Sequence, residues 1–157
     1  MKTLKSIPYD ELEIGQTATF SKTLTEEDLV LFARTSGDVN PVHLNEEFAK
    51  GTPFKTRIAH GMWSAGLISA ALATVLPGPG TIYLGQNLSF RRPVLLGDTL
   101  TVKLTVSGKQ DEKKWVTIDT QVFNQDEKLV VKGDATVMAP GAAGEVQAPD
   151  LPPVRIG

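Results

Sequence analysis

The chain has 157 residues, of which 41% are hydrophobic and 22% charged, with a net charge of −2 and no cysteine. These values fit one globular domain and exclude disulfides, thiolate nucleophiles and cysteine-based metal sites. The two histidines, His43 and His60, are too few for a three-histidine zinc site, and the charge gives no reason to expect nucleic acid as a partner.

Neither the amino-terminal residues nor the apolar segments carry a membrane or export signal. Charged residues and Pro8 interrupt residues 1–15, so this stretch lacks the apolar run of a signal peptide. The most apolar stretch, residues 61–76, is shorter than the roughly 20 residues that span a bilayer. We therefore expect a cytoplasmic protein with no membrane partner.

The elements predicted in the first half surround a polar loop. Residues 17–23 predict a short strand, and Thr25 followed by acidic residues is typical of a helix start. That helix is expected to end at Gly37. Pro41 argues against a regular helix in the loop that follows, and Asn45 can cap a second short helix.

The second half predicts one buried helix and a sheet. Residues 60–75 carry no formal charge apart from the histidine at their start, which favours a helix buried on most sides. Apolar and polar residues then alternate in four runs, typical of half-buried antiparallel strands, at residues 82–90, 100–106, 115–123 and 129–137. The sequence thus predicts an α+β domain over residues 1–138, in which a curved antiparallel sheet wraps a long helix. Residues 139–157, rich in Pro, Ala and Gly, predict an irregular tail.

The segment Asp38-Val39-Asn40-Pro41-Val42-His43 carries the main chemical signal. A carboxylate and an imidazole on a loop stiffened by Pro41 can hold and activate a water molecule. The simpler alternative is an Asx-turn at Asp38 and a hydrogen-bonded core histidine at His43, and the spacing alone favours it slightly.

A second signal is His60-Gly61-Met62, at the start of the apolar helix. A helix amino terminus offers free N–H groups, and Gly61 has no side chain to keep a substrate oxygen away, so the pattern suits an oxyanion hole. Alternatively, Gly61 only permits close helix–sheet packing and His60 is structural.

Taken in order, these motifs resemble the MaoC-like, R-specific enoyl-CoA hydratases. The resemblance spans residues 14–137 and is carried by Asp38-x-Asn40-Pro41-x-His43, His60-Gly61-Met62, Tyr83-Leu84-Gly85-Gln86, Ser89-Phe90, Pro93 and Gly97-Asp98. It implies a hot-dog fold and a homodimer whose sheets join edge to edge, with sites near the subunit interface.

The resemblance also implies a hydro-lyase that adds water syn to trans-2-enoyl-CoA, giving (R)-3-hydroxyacyl-CoA in fatty-acid or polyhydroxyalkanoate metabolism. Asp38 and His43 would bind the attacking water, and the Gly61 N–H would polarise the thioester carbonyl. No metal or cofactor is expected, because coenzyme A is part of the substrate. Either Asp38 or His43 can be the base, with a preference for His43.

The substrate-binding residues expected from the resemblance are Asn40, Met62 and Ser69. Asn40 is expected to support the loop rather than touch substrate. Ser69 is assigned to the hydrogen-bond network of the site by its spacing from His60 and Gly61. Acyl-chain length is not readable, although bulky pocket residues would suit a short chain such as crotonyl.

Three other functions remain open at the level of sequence. The first is a dehydratase acting on 3-hydroxyacyl-CoA or acyl-carrier-protein thioesters, which a basic entrance would favour, but the sequence does not place Arg57, Arg91 and Arg92 relative to the mouth. The second is a hot-dog acyl-CoA thioesterase, which more often relies on a lone carboxylate. The third, a non-catalytic subunit, is disfavoured because both catalytic positions are present.

Overall fold

The computed structural model describes residues 2–157 and has the predicted α+β hot-dog fold. Its main sheet is antiparallel and five-stranded, in the order β2-β4-β5-β6-β3. The bounds of these strands are β2 Thr17–Thr23, β3 Ile82–Phe90, β4 Thr99–Gln110, β5 Trp115–Phe123 and β6 Leu129–Met138. The alternation of apolar and polar residues predicted β3, β4, β5 and β6, and the short strand predicted over residues 17–23 is β2.

The long helix α4, Gly61–Thr74, packs on the inner face of the sheet. Alternate residues of the central strands form the core against it and are fully buried: Val102, Leu104, Val106, Val116, Ile118 and Val122. One side of α4 nevertheless faces solvent, through Met62, Gly66, Ser69 and Ala73. Within residues 2–157 no helix is long and apolar enough to cross a membrane.

Three short helices precede α4: α1 Glu26–Ser36, α2 Pro41–Leu44 and α3 Glu46–Lys50. The Thr25 hydroxyl accepts from the backbone N–H of Asp28, whose carboxylate reaches back to the backbone of Thr25, so α1 starts with the expected cap. The expectation that Pro41 excludes a helix was wrong. Pro41 occupies the first position of α2, where its missing N–H breaks no helical hydrogen bond.

The tail differs from its prediction. Strand β7, Gly144–Gln147, pairs antiparallel with β1, Thr3–Ser6, in a separate two-stranded sheet. The segment is polar and short, so its strand character comes from pairing with a distant partner rather than from its own sequence. Residues 148–157 have no regular secondary structure.

Gly133 lets β3 pass close to β6. It pairs with Leu88, and a Cβ added at Gly133 would lie 1.9 Å from the carbonyl oxygen of Asn87. Because that obstacle is backbone rather than a flexible side chain, the strand itself would have to move. The glycine therefore permits the close pairing of β3 with β6.

We predict that Gly133→Ala lowers the free energy of unfolding by about 3 kcal/mol, the upper end for overpacking, as measured by urea denaturation. Gly108→Ala is the matched control in β4, because the nearest atom to its added Cβ is an ordinary 3.6 Å away. An equal, small change in both variants would contradict the close approach.

Candidate active site

The loop between α1 and α2 places Asp38 next to His43. Gly37 ends α1 in the left-handed conformation, with a φ of 83°. The Asp38 carboxylate then accepts from the Asn40 N–H at 3.1 Å, and the Asn40 side chain accepts from the Val42 N–H at 3.2 Å. The two Asx hydrogen bonds order the loop, so Asn40 supports it as expected, and the short helix α2 carries His43 into a buried position.

The hydrogen bond of His43 defines which ring nitrogen is free. His43 Nδ1 lies 2.8 Å from the carbonyl oxygen of Ile58. A carbonyl only accepts, so Nδ1 carries the hydrogen and Nε2 of the neutral ring holds a lone pair. This Nε2 faces the Asp38 carboxylate at 3.8 Å, beyond a direct hydrogen bond. Two acceptors thus face each other at a separation that one water molecule can bridge by donating to both.

His60 stacks on His43. The ring centroids are 3.8 Å apart with 26° between the planes, and Phe32 packs 4.8 Å from His60. His60 Nε2 donates to the backbone carbonyl of Asp38 at 2.9 Å, while Nδ1 is buried without a partner. Burial lowers the pKa of His60, although the bond to the Asp38 carbonyl partly opposes this effect. The ring is therefore held neutral.

Residues 57–60, immediately before α4, hold residues 37–43 from several sides. We call residues 57–60 the anchoring segment and residues 37–43 the candidate catalytic loop. The Arg57 Nε donates to the His43 carbonyl at 2.7 Å, and its two terminal nitrogens pair with Glu26 of α1 at 2.9 and 3.1 Å. The Ile58 N–H bonds to the Val42 carbonyl at 3.3 Å. Arg57 is thus occupied in the loop and is not a free cation at an entrance.

A cavity of about 310 Å³ opens at the start of α4. Gly61 lines it as the first residue of the helix, so its N–H has no partner within the helix. The Phe90 ring lies over Gly61, 3.0 Å from where a Cβ would be. The other lining residues include His60, Ser64, Arg91, Arg92 and Val131.

The structure brings together only part of the predicted site. Asp38 and His43 lie side by side, and His60 links them to Gly61. Met62 is 58% exposed. Ser69 lies on the exposed face of α4, about 12 Å along the helix axis from Gly61. Of the predicted site residues, Gly61 lines the cavity of the single chain, whereas Asp38, His43, Met62 and Ser69 do not.

Sequence reasoning did not assign Ser64 to the site and did not anticipate the contact between the two histidines. Ser64 is buried and lines the cavity in place of Ser69, and its position one helical turn after Gly61 was a usable signal. The stacking of His60 on His43 had no signal in the sequence, because it depends on how α2 packs beside the start of α4.

The three side chains Asp38, His43 and His60 offer ligand atoms within 4.8 Å of one another. Each histidine, however, has one nitrogen bonded to a backbone carbonyl, and the rings are stacked. Imidazole lone pairs lie in the ring plane, so stacked rings aim them side by side rather than at one point. We therefore do not identify this trio as a metal site.

Comparisons with known proteins agree on one family. A family model described as MaoC like domain matches residues 11–127. An (R)-specific enoyl-CoA hydratase of Rhodospirillum rubrum is 52% identical over 132 residues, covering 84% of this chain and 91% of that protein. A 3-hydroxybutyryl-CoA dehydratase of Methylorubrum extorquens is 44% identical over 137 residues, covering 87% of each.

Solved structures give the same result. The R-hydratase PhaJ1 from Pseudomonas aeruginosa is 56% identical with a TM-score of 0.95, covering 99% of this chain and 100% of that one. An (R)-hydratase from Aeromonas caviae involved in PHA biosynthesis is 43% identical with a TM-score of 0.80, covering 82% of this chain and 98% of that one.

The lowered pKa of His60 predicts a stability change in acid. Below its usual value of 6.5, the unfolded chain takes up a proton at His60 that the folded chain does not. The free energy of unfolding should therefore fall as pH falls below 6.5, by up to about 1.4 kcal/mol per pH unit from this group. Urea denaturation between pH 5 and 8 should show a smaller fall for His60→Gln. Equal slopes in both proteins would contradict the prediction.

Proposed function

The chain belongs to the MaoC-like domain family, and on this premise we propose that it is an R-specific enoyl-CoA hydratase. The enzyme adds water syn to trans-2-enoyl-CoA, forms (R)-3-hydroxyacyl-CoA and catalyses the reverse dehydration. The observation that carries the proposal is the pair of facing acceptors, His43 Nε2 and an Asp38 carboxylate oxygen, on two residues that are both contacted by His60, the residue immediately before Gly61. The names of the hydratase relatives support it.

The facing acceptors suit the activation of water. A water bridging them donates one hydrogen to His43 and one to Asp38, which turns its oxygen lone pairs toward a bound enoyl group. As that oxygen bonds to the β carbon, one hydrogen passes to His43 Nε2. His43 passes this proton through Asp38 to the α carbon on the same face, which gives syn addition, and the second water hydrogen stays on the new hydroxyl group. The exchange of roles between the two groups is a variant of this proposal, because a carboxylate and a neutral imidazole can each accept a proton.

The start of α4 suits the charge that the reaction develops. Attack at the β carbon pushes electrons onto the thioester oxygen, and the Gly61 N–H and the positive end of the helix dipole stabilise that enolate-like state. The chemistry needs no metal or further cofactor in this proposal, so activity should survive treatment with a chelator.

We propose coenzyme A as the carrier, with fatty-acid or polyhydroxyalkanoate metabolism as the context, in line with the relatives' names. Arg91 and Arg92 line the cavity, so a comparison of crotonyl-CoA with the crotonyl acyl-carrier protein tests the alternative carrier. We also propose a cytoplasmic location, since coenzyme A thioesters are formed there, and cell fractionation would test it.

We further propose a homodimer joined through the β3 edges. β3 is an edge strand, and its unpaired backbone groups lie beside exposed apolar side chains, among them Ile82, Leu84 and Phe90. The exposed side of α4, with Met62 and Ser69, would be covered by the same contact. A dimer therefore offers a way for both residues to reach substrate.

Removal of either member of the water-binding pair should abolish most of the activity. We expect Asp38→Asn and His43→Gln each to lower kcat by about 10²–10⁴-fold with little change in KM, because water activation is lost while binding is kept. The loss of enoyl absorbance with crotonyl-CoA measures the rate. Equal rates in all three proteins would overturn the site assignment, and cleavage of saturated acyl-CoA without any hydration would favour the thioesterase.

The role of the Gly61 N–H can be tested separately. Gly61→Pro deletes this N–H at a first helical position, where proline is tolerated, and His60 already has the extended conformation that precedes a proline, with a ψ of 135°. Gly61→Ala keeps the N–H and controls for the added bulk under Phe90. We expect kcat of the proline variant to be about 10²-fold below that of the alanine variant. Similar rates would remove Gly61 from the oxyanion hole.

The dimer can be tested by light scattering after size-exclusion chromatography. The wild type should have twice the chain mass of 16.9 kDa, and Leu84→Lys should shift it toward the monomer because a charge on the edge strand opposes pairing. Leu151→Lys is the control, since Leu151 is 89% exposed in the tail. A wild type of single-chain mass, or a Leu84→Lys variant that stays dimeric, would contradict this interface.

A further inference from the structure

His60 is a buried imidazole that the proposed water chemistry does not use. It is 2% exposed and lies between Phe32 and His43. We infer that His60 is a positioning residue, which fixes the main chain of Asp38 and the ring plane of His43 so that the two acceptors face each other. This inference rests on the proposed function.

The hydrogen bond from His60 joins the candidate catalytic loop to the start of α4. The Asp38 carboxylate is 49% exposed, and its own hydrogen bond stays within its loop, to the Asn40 N–H. The bond from His60 Nε2 to the Asp38 carbonyl, at 2.9 Å, therefore ties that residue to a fixed element. Its loss would let the carboxylate drift from His43, and small displacements of a reacting group lower rates strongly.

The stack restrains His43. One face of the His43 ring lies against His60 with centroids 3.8 Å apart, and its Nδ1 is bonded to Ile58. The ring therefore cannot tilt toward His60, and a flip would break the bond to Ile58. Leaving His60 Nδ1 buried and unpartnered costs stability, so folding alone does not account for a histidine here. What the His60 ring provides in return is a fixed orientation of His43 Nε2.

The charge state of His60 fits this role. The groups that face it are His43, stacked from α2, and the carboxylate and carbonyl of Asp38, while Arg91 and Arg92 line the same cavity from the end of β3. A neutral ring does not repel the positive charge that His43 gains on taking a proton from water. A protonated His60 would oppose that step.

Two substitutions separate the hydrogen bond from the bulk of the ring. His60→Phe keeps an aromatic ring against His43 but removes the donor, whereas His60→Gln restores an N–H donor near the position of Nε2. We expect His60→Phe to lower kcat by about 10–100-fold with KM within about twofold, and His60→Gln to recover most of kcat. When kcat is plotted against pH, the acid limb of the profile should also move in His60→Phe, because the Asp38 carboxylate beside His43 is displaced.

The inference is overturned if folded His60→Phe keeps kcat within about twofold of wild type, or if folded His60→Gln is as slow as His60→Phe. Circular dichroism and thermal melting establish that each variant is folded. If the phenylalanine variant does not fold, the glutamine variant and the following measurement decide.

The tautomer of His60 is measurable without activity. Because the chain has two histidines, His43→Gln leaves His60 as the single source of imidazole ¹⁵N signals. We expect an Nε2–H tautomer that persists between pH 6 and 8, and the same signal in the wild type. A mixture of tautomers, or proton uptake at the ordinary value of 6.5, would overturn the inference. A wild type that hydrates no enoyl-CoA would overturn the proposed function instead, whatever the tautomer.

Discussion

The site depends on how the anchoring segment ties the candidate catalytic loop to the start of α4. Arg57 and Ile58 bond to the backbone of α2, Ile58 also accepts from the His43 ring, and His60 bonds to the backbone of Asp38. Most of these bonds end on main-chain carbonyls, which cannot rotate away as side chains can. The same residues lead directly into α4, whose first N–H belongs to Gly61. One stretch of chain therefore sets the position of the Gly61 N–H relative to Asp38 and His43.

The sheet packs against α4, which begins at the site, and its edge strand β3 has no neighbouring strand on its outer side. Gly133 lets β3 approach β6 closely. The β3 edge and the outer side of α4 then remain uncovered in the single chain, although both carry apolar residues. This explains why Met62 and Ser69, which the family resemblance assigns to substrate binding, lie away from the cavity of one chain. In the proposed homodimer, their surroundings depend on the second copy.

Local sequence patterns succeeded where the interaction that forms an element is itself local. The capping residue Thr25, the terminating Gly37 and the alternation along β5 each act within a few residues, so each could be read directly. They failed at Pro41, whose effect depends on its position within a helix, and at β7, whose partner is at the other end of the chain.

The amino-acid sequence alone was enough to establish the fold class and to nominate the candidate chemistry. The order of Asp38, His43 and Gly61, with their surrounding motifs, pointed to a hydratase, and the count of two histidines excluded a three-histidine zinc site. That the two histidines form one unit follows only from the packing of the folded chain. The stacking, the tautomer and the burial of His60 arise where α1, α2 and α4 meet. Contacts between distant segments produce no periodic pattern in the sequence from which they could be predicted.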